Sequence, residues 1–214
     1  MDGHGPQPTK GQASRAAILH SAVKLATTNG LHGLSIGDLA AEVGMSKSSL
    51  YAHFKSKEEL ELATIAAAAA IFDTEVLEPA ARAPAGTERL KTLVNSFLSY
   101  LERRVFPGGC FFAAVAAELD TRPGPARDRV FEIYDSWFAL LRQCILDAQE
   151  LGEIDAGADV DQAVFEVEAM LFAANFLFVM TNDPIRLTQA RRGVESVLAR
   201  FASRAESKKK RTGR

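Results

Sequence analysis

Apolar residues recur at helical spacing almost throughout this chain, and no stretch reads as a ladder of strands. That periodicity predicts an all-α protein, and its breakers divide it into about nine helices. The first runs from about Ser14 to Asn29, with Ile18, Ala22 and Leu25 on one face and Leu19, Val23 and Ala26 beside it; Gly30 closes it. Ser35 caps a short second helix that stops near Val43-Gly44, and Ser46 caps a short third through Phe54. Ser56 and Glu59 form a capping box that opens a long fourth helix, reaching about Leu77 before Pro79 and Pro84 break it. The fifth spans about Thr87 to Phe106, the sixth Cys110 to Leu119 and the seventh Ala126 to Leu151. The eighth runs from near Asp159 to near Met180, and Asp183-Pro184 starts a ninth through about Phe201.

Composition agrees with a globular protein: 47% of the 214 residues are hydrophobic and 24% charged, enough to bury a sizeable core. No unbroken apolar run approaches the roughly 18 residues that span a bilayer, so no membrane segment is expected. The N-terminus has no apolar stretch behind a basic start and is not read as a secretory signal. Cys110 and Cys144 are too few for a disulfide framework and lack metal-ligand spacing, so neither metal nor cofactor is expected. The compartment reads as cytoplasmic. The net charge of −2 is unevenly spread: six Lys/Arg face five Asp/Glu over residues 1–60, twelve face twenty-one over 61–199, and seven face one over 200–214. A nucleic-acid surface must therefore be local. Between Ser14 and Lys57 five basic residues face two acidic ones.

The informative segment is Ser35 to Phe54, two short capped helices joined by Val43-Gly44-Met45-Ser46. A Gly between short helices permits the tight turn of a helix-turn-helix. Ile36, Leu39 and Ala40 point inward from the first helix, Leu50 and Phe54 from the second. The second helix then exposes Lys47, Ser48, Ser49, Tyr51 and His53, short or hydrogen-bonding side chains near a helix N-terminus, as suits a helix entering the major groove. A plainer alternative for Tyr51, His53 and Phe54 is packing on the first helix.

The stretch SRAAILHSAVKLATTNGLHGLSIGDLAAEVGMSKSSLYAHFKSKEEL resembles the DNA-binding domain of the tetracycline-repressor family over about Ser14 to Leu60. Ile18, Ala22, Gly30, Ser35, Ile36, Ala40, Gly44, Ser46, Lys47, Leu50, Tyr51, His53, Phe54, Lys57 and Leu60 all fall in register; Ser48 departs from the Gly that many members carry. The resemblance implies that Lys47, Ser48 and Ser49 meet base edges or adjacent phosphates, with Ser46 on the same surface. It implies that Tyr51 and His53 bond phosphates, that Ser35 and Lys57 grip the backbone on either side, and that Arg15 reaches a neighbouring phosphate. It divides the chain into an N-terminal arm (1–13), a helix-turn-helix domain (14–60), a larger ligand-binding and dimerisation domain (61–204) and a basic tail (205–214).

In the larger domain Phe111, Phe112, Trp137, Phe138, Met170, Phe172, Phe176 and Phe178 supply material for an apolar pocket, and Glu118, Tyr134, Gln143 and Asn175 are its candidate polar residues. Such aromatics also serve as ordinary core. A dimer interface is expected from the last two helices: Phe165, Ala169, Phe172, Ala173 and Phe176 on one, Val194, Val197, Leu198 and Phe201 on the other. The same faces would equally pack on their own subunit. Expected partners are a pseudo-palindromic double-stranded DNA operator, a small apolar or amphipathic effector, and a second copy of the chain. An enzyme is poorly supported, since all four His (4, 20, 32 and 53) lie outside the large domain and no His-x-x-x-His pair occurs. A nucleoid-type protein that coats DNA by charge alone conflicts with the acidic C-terminal region.

Overall fold

The structure is a computed structural model that describes residues 9–202; the expected tail at 205–214 and most of the expected arm lie outside them. Among the described residues there are nine successive helical segments and no strand, only an isolated bridge between Ile154 and Ala202. By contact the chain divides into two compact units: Met1–Ala70 with Phe106–Val130, and Ile71–Val105 with Phe131–Arg214. Residues 106–130, which a single cut at residue 60 assigns to the C-terminal part, therefore pack with the first unit.

The first unit begins with α1 (Lys10–Asn29), four residues before the expected start. Thr9 and Gln12 form a reciprocal capping box, which satisfies donors that a helix beginning at Ser14 would leave without it. Its buried stripe is Ile18, Ala22, Val23 and Ala26, and Gly30 at φ +80° ends it. Next come α2 (Ile36–Glu42), α3 (Lys47–His53) and the first part of α4 (Lys57–Phe72). Ser56 caps α4 by accepting the Glu59 N–H, but Glu59 reaches back to Lys55 N rather than to Ser56, so only half of the expected box forms. Later in the chain α6 (Phe111–Leu119) lies against α1, with Phe111 and Val115 fully buried.

The second unit contains the rest of α4, where the helix does not stop at Pro79. It widens into a π turn, Asp73–Leu77, and continues through Glu78–Ala81. A proline ring clashes with the carbonyl four residues back, here that of Glu75, and the wider turn lies on that residue. α5 (Thr87–Glu102) buries Leu90, Leu93, Val94, Phe97, Leu98, Tyr100 and Leu101 along one stripe. α7 (Pro125–Glu150), α8 (Val160–Thr181) and α9 (Ile185–Phe201) complete the chain. α9 packs on α8, with Gly193 beneath the flexible end of Met170: a Cβ there would lie 2.4 Å from Met170 Sδ. Phe72, Phe97, Tyr100 and Trp137 form an aromatic cluster with centroids 5.7–6.4 Å apart.

One helix passes a membrane-span test by length and composition alone, a test that the core helix of a globular protein also passes. α8 holds an 18-residue window of mean hydropathy 1.8, long and apolar enough by composition to cross a bilayer, with 39% of that window buried. Glu166, Glu168 and Asn175 interrupt the apolar run without lowering the average of the window far enough.

Candidate DNA-binding surface

Local chemistry alone accounts for the α2–turn–α3 geometry. Ser35 accepts the Asp38 N–H at 3.0 Å and donates its own hydroxyl hydrogen to the Asp38 carboxylate at 2.6 Å. Ser46 accepts the Ser49 N–H at 3.1 Å, and its Oγ lies 3.0 Å from Ser48 Oγ. Caps of this kind contribute about 1 kcal/mol each. Between the two helices Gly44 adopts φ +64°, the left-handed region that favours Gly, and Met45 N–H closes the turn on Ala40 O at 2.9 Å. Leu39, Leu50 and Phe54 are fully buried beneath it.

That anchoring leaves one side of α3 outward. Lys47 and Ser48 are exposed, Tyr51 is 56% exposed, and Ser49 and His53 are half-buried. The Tyr51 exposure overturns the plainer reading that it packs on α1, whereas Phe54 does pack there, under the Arg15 guanidinium at 4.8 Å from its ring. Arg15 is thus engaged by Phe54 and, at 4.0 Å, by Glu59. Lys57 Nζ donates to the His32 carbonyl at 2.6 Å and lies 3.8 Å from Glu61. Burial pushes the Glu61 carboxyl above its usual range, against the opposite pull of His32 and Lys57. Gly37 is a contributor that the sequence did not reveal: a Cβ there would lie 3.2 Å from Lys47 Cε, so any larger residue would make the end of that side chain give way.

Gly33-Leu34-Ser35-Ile36-Gly37 also matches the G-x-S-x-G spacing of hydrolase nucleophiles. Those nucleophiles stand on a strand-to-helix elbow with a base. Ser35 instead follows a tight turn closed by the Leu34 N–H on Leu31 O, and its hydroxyl is engaged at both ends by Asp38.

The pocket candidates divide between the units, with Met170, Phe178 and Gln143 in the second. Phe111, Phe112 and Glu118 belong to the first, where both rings are core and the Glu118 carboxylate is bonded to the backbone of Leu31 and His32. Tyr134, Trp137, Phe138, Phe172, Asn175 and Phe176 belong to the second. There Trp137 Nε1 donates to Glu168 Oε2 at 2.8 Å, and burial raises the Glu168 carboxyl above its ordinary value. Asn175 is buried, whereas Phe172 and Phe176 are 50% and 57% exposed. Phe138 lines a surface groove of 280 Å³ with Ala139, Arg142, Asp161, Val164 and Phe165.

The dimer candidates separate just as clearly. On α8, Phe165, Ala169 and Ala173 are exposed, with Phe172, Phe176 and Met180 on the same side. On α9, Val194, Val197 and Leu198 are buried within their own chain and Phe201 is half-buried, so the expected stripe is a core face. The stripe is covered because α9 packs on α8 and α5 of its own chain. Cys110 and Cys144 are both buried, and burial pushes the Cys144 thiol up to about 11, so it carries little of the thiolate a redox sensor needs.

Residues 18–64 match the family model for bacterial regulatory proteins of the tetR family, and residues 86–194 match the tetracyclin repressor-like C-terminal domain. The chain is 23% identical over 145 residues to the fatty acid metabolism regulator protein of Bacillus subtilis, covering 67% of this chain and 72% of that protein. It is 24% identical over 143 residues to the HTH-type transcriptional repressor DhaR of a Mycobacterium species, covering 65% and 69%. A TetR transcriptional regulator from Chloroflexus aurantiacus superposes with a TM-score of 0.83 at 27% identity, covering 90% of this chain and 98% of that one. The structure of AibR with isovaleryl coenzyme A and operator DNA superposes at 0.68 and 22% identity, covering 84% and 95%. With a reading helix locally capped, anchored and outward-facing, and with both halves matched, the chain belongs to the tetracycline-repressor family of bacterial DNA-binding transcriptional regulators.

Proposed function

We propose that the protein is a homodimeric repressor that reads a pseudo-palindromic operator with α3 and leaves it when a small apolar or amphipathic effector binds its C-terminal domain. The observation that carries the DNA-binding half is α3 itself: Lys47, Ser48 and Tyr51 are exposed over a fully buried Leu50–Phe54 anchor. In this reading Lys47, Ser48 and Ser49 meet bases or nearby phosphates, and Tyr51 and His53 bond phosphates. Ser35 and Ser46 act through the helices they cap, and Lys57 grips the backbone. The exposed face of α8, with Phe165, Ala169, Phe172, Ala173 and Phe176, supports pairing with a second copy. A two-fold dimer would place two reading helices about one DNA turn apart, roughly 34–36 Å. The aromatic side chains of the second unit favour an apolar effector, and AibR, of similar fold, was solved with isovaleryl coenzyme A and operator DNA. A regulator of transcription acts where the chromosome is, in the cytoplasm.

Selection of bound sequences from a random duplex pool at near-physiological salt tests this. Enrichment of an inverted repeat is expected, and the recovered operator then serves to screen effectors for release. Salt-sensitive retention with no enriched motif would instead indicate binding by charge alone.

A further inference from the structure

The turn after α1 is held by a residue 87 positions away in sequence. Glu118, near the end of α6, accepts the Leu31 N–H through Oε2 at 2.6 Å and the His32 N–H through Oε1 at 2.9 Å. One backbone donor on each oxygen makes a two-point grip, and charge-assisted bonds are about twice as strong as neutral ones. Gly30 makes room for it: a Cβ there, at φ +80°, would lie 2.8 Å from Glu118 Oε2. The other end of the segment is fastened as well. Gly108 donates its N–H to Thr27 Oγ1 at 3.1 Å, and a Cβ at 108 would stand 1.9 Å from the Thr27 carbonyl. The residue that Glu118 grips, His32, is also the one whose carbonyl takes the Lys57 ammonium at 2.6 Å. Glu61 faces both, 3.6 Å from His32 Nδ1 and 3.8 Å from Lys57 Nζ.

We propose that Glu118 is a positioning residue for DNA binding. By fixing the backbone of Leu31 and His32, it fixes the carbonyl that holds Lys57, and so sets where that ammonium stands when a phosphate arrives. A lysine left to wander must be ordered on binding; one already held loses less freedom, which raises affinity without any new contact. The inference rests on the phosphate-contact role given to Lys57 above.

The test is a double-mutant cycle in the full chain: wild type, Glu118→Gln, Lys57→Met and the double variant, titrated with a 30-bp duplex of mixed sequence over a salt series. A mixed sequence suffices because a phosphate contact carries no sequence information. Each single variant is expected to bind several-fold more weakly, and Lys57→Met to reduce the slope of log K against log salt by about one. The double variant is expected to bind no more weakly than Lys57→Met alone, because Glu118 acts through Lys57. A purely structural role would leave the two losses multiplying, and that result overturns the proposal. So does a Lys57→Met protein with unchanged affinity and slope. A wild-type chain that retains no duplex even at low salt overturns the DNA-contact role of Lys57 first, and the positioning role with it. Circular dichroism verifies each fold. Should Glu118→Gln unfold, Glu118→Asp, which withdraws the carboxylate by one methylene while keeping its charge, takes its place in the cycle with the same expected outcome.

Discussion

In the first unit α2 and α3 are seven residues long, and polar side chains at their ends hold them: Ser35 on Asp38 N, Ser46 on Ser49 N. In the second, α5, α8 and α9 run 16, 22 and 17 residues, and packing of apolar faces replaces capping as the main source of order. Their surfaces differ in kind as well. The first unit presents Lys47, Ser48 and Tyr51 on a scaffold whose own hydrogen bonds are already satisfied. The second leaves Phe165, Phe172, Phe176 and Met180 between 50% and 67% exposed on one helix. A polar surface is stable in water by itself and can wait for DNA. An apolar stripe of this kind is stable only when something covers it, so the two units reach completeness by different routes.

The sharpest way to break the contrast is to make the α8 stripe polar. Phe172→Glu with Phe176→Glu should convert a dimer to monomers in sedimentation and weaken operator binding about a hundredfold or more, since two linked reading heads gain that much over one. A variant that stays dimeric would show that the stripe is not the interface. Next in size is a pair of glycines, one per unit. Gly108→Ala puts a Cβ against the Thr27 backbone and should destabilise by about 2–3 kcal/mol in denaturant unfolding. Gly193→Ala meets only the flexible end of Met170 and gains helix propensity, so its net change should stay below about 1 kcal/mol. Equal effects would mean that the close approach in the second unit is as rigid as that in the first. Tyr51→Ala should weaken binding roughly tenfold, for operator and unrelated duplex alike, as the loss of one hydrogen bond to a charged phosphate predicts. Loss confined to the operator would make Tyr51 a base reader.

The smallest effect concerns pH. Glu168 has its carboxyl raised in the folded state by burial, so it favours folding below its unfolded value, and that contribution is lost as pH rises through the folded one. Glu168→Gln, which keeps an acceptor for Trp137, should flatten this part of the stability–pH curve and leave the rest unchanged. Thermal melts between mildly acidic and neutral pH would reveal it; an unaltered profile would place the carboxyl in water.

What could be read from sequence follows the same division. The caps and the Gly44 turn were legible because each depends on neighbours within five residues, and Leu50 and Phe54 because their helical spacing places them on one apolar face. Glu118 was not, since its partners lie 86 and 87 positions away and nothing at the residue marks it, so it was grouped with pocket candidates. Val194, Val197 and Leu198 read as a dimer face from sequence because an apolar stripe says that it will be covered, not by which chain. α1 starts at Lys10, earlier than a helix capped at Ser14, because Thr9 and Gln12 form their own capping box.

The π turn at Asp73–Leu77 gives α4 a feature that matters on the timescale of descent rather than of binding. Such a turn is what a helix looks like after absorbing one residue while keeping its phase before and after. α4 therefore carries a built-in indel: a relative lacking one residue between 73 and 77, and bearing something other than proline at position 79, would run as an unbroken α-helix with every other side chain on its original face. Aligning such a relative without a gap would shift every downstream residue by about 100° around the axis, and would misassign the faces of α4 beyond Phe72.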